Sequence, residues 1–134
     1  MNDRLRLQRI ADSMEMDAHV VLVKKRNINS ASYGMKLLSA FCKAVEMEED
    51  QIIGGYSKGR RAKQYKTIFI SILYFDFLFM QKDIAEIVNI DRTTVVYHVE
   101  LHRQYVAKNK IYRDAYLEAI ELMTMIFNET NEPK

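Results

Sequence analysis

Apolar positions recur at helical spacing at both ends of the chain. Leu7, Ile10, Ala11, Met14, Ala18, Val21 and Leu22 fall at i, i+3, i+4 and i+7 intervals, which predicts an amphipathic helix over about residues 3–26. Lys24, Lys25 and Arg26 occupy its last turn, where cations suit the helix dipole. Asn27, Asn29 and Ser30 predict a polar break over residues 27–30, with Asn29 or Ser30 capping a second helix whose face is Leu37, Leu38, Phe41, Cys42 and Val45. At the other end, Tyr112, Ala115, Tyr116, Ala119, Ile120, Met123, Ile126 and Phe127 form one stripe, predicting a helix over residues 110–128.

Between these ends the pattern changes character. Glu46, Glu48, Glu49 and Asp50 suit the first turn of a short helix that ends in Ile52-Ile53 and stops at Gly54-Gly55. Residues 57–66 then carry five basic side chains and no acid. An apolar run follows over residues 68–80, thirteen positions broken only by Ser71 and Asp76. Periodicity alone does not separate strand from helix there. A helix is expected, because the run continues a helix-favouring basic stretch and no hairpin turn follows it.

Breakers are scarce: four Gly and one Pro among 134 residues, with Pro133 in the tail. Long helices fit that scarcity and a sandwich or barrel of short strands does not, so the fold class expected is all-α in one domain. The apolar run is too short to span a bilayer and reads as buried core, excluding a membrane protein. A single cysteine, Cys42, leaves no intrachain disulfide, and the start of the chain lacks a basic-then-apolar signal pattern. Both features point to the cytoplasm.

The formal net charge of +2 conceals a gradient. Residues 1–56 hold eight basic and eight acidic side chains, residues 57–113 hold eleven against five, and residues 114–134 one against five. Positive charge therefore gathers in the middle of the chain, where a polyanion would be held.

Residues 81–106 have the pattern of a helix-turn-helix. Ile84 and Val88 supply the inner face of a short helix, Ala85 is the small residue where two helices cross, and Asn89-Ile90-Asp91 is the turn. Asn tolerates the left-handed backbone such a turn needs. On the second helix Val95, Val99, His102 and Val106 share a core-facing side, while Arg92, Thr93, Val96, Tyr97 and Glu100 lie off it. Arg can grip guanine O6 and N7, and Thr can bond a base edge or touch a thymine methyl. Asp91 has two candidate tasks, capping the helix or accepting from cytosine N4.

At this point residues 38–106, about half the chain, resemble the C-terminal DNA-binding domain of the bacterial replication initiator DnaA, of the Trp-repressor-like helical class. Residues 46–53 resemble that family's acidic-then-apolar segment, and Ser57-Lys58-Gly59-Arg60-Arg61 resembles its basic loop. Asp91-Arg92-Thr93-Thr94-Val95 resembles its signature Asp-His-Thr-Thr-Val. The resemblance implies a helix-turn-helix bundle extended by N- and C-terminal helices. It would place Asp91, Arg92, Thr93 and Thr94 in a major groove and Arg60 or Arg61 in the adjacent minor groove. Arg92 stands where the family has His, and the family's Gly-Gly-Arg turn is shortened to Asn89-Ile90. Both departures bear on which sequence would be read.

Other chemistries find no support. Gly54 to Gly59 lacks the Lys-Ser/Thr pair and preceding strand of a phosphate-binding loop, so no nucleotide cofactor is expected. His98 and His102, four apart, have no third metal ligand at suitable spacing; a partly buried His102 and a phosphate-facing His98 are expected instead. No catalytic constellation stands out, and the chain does not read as an enzyme. The expectation is a double-stranded DNA-binding protein, a transcription regulator or replication-accessory factor. It would use Arg60, Arg61, Lys63, Lys66, Asp91, Arg92, Thr93, Thr94 and Tyr97. The competing reading is a helical protein-interaction module that keeps a DnaA-like fold without touching DNA. The two terminal stripes exceed what such a domain needs for its core and add a homodimer to the expected partners.

Overall fold

In the computed structural model, residues 16–54 and 59–131 are described, with side chains described at 31–54 and 59–130. The described residues form five α-helices and no strand: α1 (Met16–Val45), α2 (Gly59–Ser71), α3 (Gln81–Val88), α4 (Arg92–Lys108) and α5 (Lys110–Asn131). A 3-10 turn (Glu49–Gln51) lies between α1 and α2, and a π-helical turn (Ile72–Asp76) extends α2. No helix among them is long and apolar enough to cross a membrane. The chain divides into two compact units, residues 1–30 and residues 31–134. The expected stripe at residues 7–14 lies outside the described residues.

The break expected at residues 27–30 is not one in the backbone, because α1 runs helical through them. Asn and Ser cost only a few tenths of a kcal/mol each inside a helix, and no Gly or Pro accompanies them there. The polar positions nonetheless fall where the first compact unit ends.

Residues 31–134 are built around one apolar cluster. Leu37, Leu38, Phe41 and Val45 of α1 meet Ile68 and Phe69 of α2, Ile84 and Val88 of α3, Val95 and Val99 of α4, and Tyr112, Ala119 and Met123 of α5. On α1, α3 and α4 these are positions three or four apart on the inward face of the helix, whereas the second half of α2 is buried at every position from Lys66 to Ser71. Gly34 lets α1 approach α3 closely: a Cβ there would lie 2.6 Å from Ile87 Cγ1 and nearer still to Cδ1. The apolar run after the basic stretch is helical as far as Asp76, and then Leu78, at φ 60°, turns the chain into an extended link to α3.

Local rules explain where the helices stop. α1 ends with Glu46 at φ 58° and the Met47 N–H donating 3.0 Å to the Cys42 carbonyl, a left-handed C-terminal closure. α3 ends in the same way: Asn89 is left-handed at φ 61°, ψ 55°, and the Ile90 N–H donates 3.0 Å to Ala85. Three residues, 89–91, join α3 to α4, whereas α4 and α5 are joined by the single residue Asn109. The Asn109 side-chain oxygen accepts from the Tyr112 N–H at 3.0 Å and so caps α5, while Arg113 donates 2.7 Å to the Val106 carbonyl near the end of α4.

Candidate nucleic-acid interface

α3 and α4 form a helix-turn-helix with a turn of residues 89–91. Ile84, Ala85, Ile87 and Val88 are buried on the first helix, and Val95, His98, Val99 and His102 on the second. What remains outward on α4 begins at its N-terminus. Asp91, Arg92 and Thr93 are exposed, Thr94 is half-buried, and Val96 and Tyr97 are 40% and 50% exposed. Asp91 occupies the N-cap position with extended backbone, yet its carboxylate makes no capping bond. Of its two candidate tasks, capping is the one it does not perform here.

The turn is held in place from outside. The Gly54 N–H donates 2.7 Å to the carbonyl of Val88, the last residue of α3, and the Gly54 carbonyl accepts from Lys66 Nζ on α2. Gly54 sits at φ 98°, a backbone that favours glycine. One residue thus ties the end of α3 to the middle of α2.

That tie changes the reading of the basic stretch. Its described part, from Gly59 on, is the first turns of α2, so Arg60 and Arg61 stand on a helix rather than in a loop. The four candidate cations then part company around the helix. Arg60 and Lys63 are exposed and line a cleft of about 520 Å³ together with Tyr97, Leu101 and Tyr105 of α4. Arg61 turns to the other side, donates 3.0 Å to the Val45 carbonyl at the end of α1, and lies 5.0 Å over the Tyr65 ring. Lys66 is 3% exposed, and burial pushes its ammonium below the usual range. Lys66 is thus buried beneath a backbone carbonyl it closes, Arg61 holds the end of α1 while remaining exposed, and Arg60 and Lys63 face the outward side of α4.

The histidines also depart from expectation. His98 does not face solvent: it is 5% exposed, with Nδ1 2.7 Å from the Thr67 hydroxyl. A hydroxyl carries one proton, so Thr67 can donate to the Lys63 carbonyl at 3.1 Å while the imidazole Nδ1–H donates to Thr67. Burial, with the charges of Lys66 and Lys63 adding to it, pushes His98 down to about 4. His102 is buried too, 2.7 Å from the Tyr112 hydroxyl and stacked on Phe75. Among the described residues no group of three His, Cys, Asp or Glu side chains could hold a metal ion. Cys42 is buried, and that burial, then Glu49 and Glu48, pushes its thiol up to about 12.

Tyr105, at 41% exposure on α4, is a surface aromatic that the sequence pattern did not single out. Its signal was available: it stands eight residues after Tyr97 on the same helix. No family model matches the chain, and no curated protein or solved structure matches it significantly.

Proposed function

We propose that the protein binds double-stranded DNA, with the N-terminal turn of α4 in the major groove and the outward cations of α2 on the adjoining backbone. The observation that carries this reading is that Arg60 and Lys63 line the same cleft as Tyr97 of α4. Phosphate contacts position such a protein and base contacts specify its site. Arg60 and Lys63 suit the first task, and Arg92 and Thr93, which open α4, suit the second. The fold that would present them is the DnaA-like, Trp-repressor-like bundle of the resemblance, and the cellular role is regulation of transcription or replication. A dimer on paired half-sites would need a surface other than Tyr112, Ala119 and Met123, which the core of residues 31–134 already buries.

The test starts by selecting bound fragments from random duplex DNA. Arg92→Ala and Thr93→Ala are then titrated on a selected and a scrambled site. Each should cost about 1–3 kcal/mol on the selected site and much less on the scrambled one. Equal losses on both would mean that α4 does not read bases. No binding by the wild type at low salt would overturn the DNA reading. The exposed Val96 and Tyr97 would then be examined as part of a protein-docking face.

A further inference from the structure

Tyr105 and Asn109 of the cleft between α2 and α4 also line a second cleft, of about 500 Å³, whose other walls include Lys108 and Lys110. The two clefts are therefore neighbours on α4, meeting at Tyr105 and Asn109. Arg60 and Lys63 line the first and Lys108 and Lys110 the second, and no carboxylate lines either. Lys110 is ion-paired 2.9 Å from Asp114, and Arg60, Lys63 and Lys108 are exposed. Two exposed tyrosines are among the lining residues. Tyr97 packs edge-on against the His98 ring, and Tyr105 lies 5.2 Å from the Tyr112 ring, so both are braced by buried neighbours while presenting surface outward.

We infer that these two clefts together also bind single-stranded DNA, with bases stacked on Tyr97 and Tyr105 and phosphates on Arg60, Lys63 and Lys108. Cations that track a backbone beside aromatic rings that stack bases are what a sequence-tolerant single-strand site requires. The spacing fits: eight residues of helix put about 12 Å of axial rise, and about 80° of turn, between the two positions. That span takes about three nucleotides at a stacking rise of about 3.4 Å. A duplex cannot use the rings in this way, because its bases lie inside their own stack and offer no face without being extruded. The single-strand site shares Arg60, Lys63 and Tyr97 with the duplex reading, while Tyr105 and Lys108 have no part in that reading and so test the single-strand site separately.

Fluorescence anisotropy with an oligothymidylate of about 12 nucleotides tests it on the full chain. The wild type should bind at low salt. Tyr105→Leu should weaken binding about tenfold, and Tyr105→Phe, which keeps the ring, should not. Lys108→Ala should reduce the log-log salt slope by about 0.7. Arg92→Ala should leave oligothymidylate binding intact whatever it does to duplex binding, which keeps the two readings separable. Circular dichroism melting controls for folding, and if Tyr105→Leu unfolds, Tyr97→Leu and Lys108→Ala carry the test. Absence of wild-type binding, a folded Tyr105→Leu with undiminished affinity, or tighter binding to oligouridylate than to oligothymidylate would each overturn the assignment.

Discussion

His98 lies between α2 and α4 with Thr67 as its hydrogen-bonding partner, so protonating it would place a charge in a buried site already facing Lys66 and Lys63. Its folded pKa is depressed, from 6.5 to about 4. The unfolded chain therefore takes up the proton first. The stability this histidine contributes is complete above about pH 6.5, declines as pH falls toward about 4, and is absent below that. At 1.36 kcal/mol per unit the full effect is about 3 kcal/mol. Urea unfolding of the wild type and His98→Gln at pH 7 and pH 4.5 should show a difference between the two proteins that shrinks at the lower pH. A difference independent of pH would mean that His98 titrates alike in both states. The spacing of Val95, His98, Val99 and His102 places all four on one side, yet residue type suggested an outward His98. Its partner Thr67 lies 31 positions away, and no local pattern announces such a pairing.

At the scale of elements, local chemistry was legible and long-range packing was not. The three-residue turn, the left-handed Asn89 and the inward Ile84, Val88, Val95 and Val99 follow from residue types within a short window, and the helices form where that window places them. Gly34 offered no such clue. Inside a helix a glycine reads as a local weakness, and only the approach of Ile87 from α3 explains it. Gly34→Ala should gain about 1 kcal/mol of helix propensity. It should lose more than that, about 1–3 kcal/mol, by forcing Ile87 from its position. Net destabilisation of about 1 kcal/mol is expected in thermal or urea melts. In an Ile87→Ala background the same substitution should instead stabilise, because the added methyl fills space the isoleucine has vacated. If Gly34→Ala has the same sign in both backgrounds, the crossing is not what requires the glycine.

Over the whole molecule, the gradient of charge along the sequence is real but does not translate residue by residue into a binding face. From Gly59 on the basic stretch is wound on α2, and a helix distributes neighbouring side chains around its axis about every 100°. Arg60 and Lys63 consequently face the outward side of α4, while Arg61 reaches the end of α1 and Lys66 is drawn under Gly54. A linear count of charge cannot foresee this division, because it depends on where α1 and the Gly54 turn supply carbonyls to be closed. It can be separated experimentally, since a phosphate contact and a packing contact answer to different variables. Lys63→Ala should weaken binding to selected and scrambled duplexes alike and make the log-log salt slope shallower by about 0.9. Its stability should stay within about 0.5 kcal/mol of the wild type, as for most exposed substitutions. Lys66→Ala should do the reverse. It leaves the Gly54 carbonyl without its donor, at a cost of about 1–3 kcal/mol in urea unfolding, while the folded protein keeps the wild-type salt slope. Paired titrations at several salt concentrations, run with unfolding curves on the same samples, measure both quantities. A salt slope that falls equally in both variants would mean that Lys66 reaches a phosphate after all, and that the tie from α2 through Gly54 to the end of α3 opens when DNA binds.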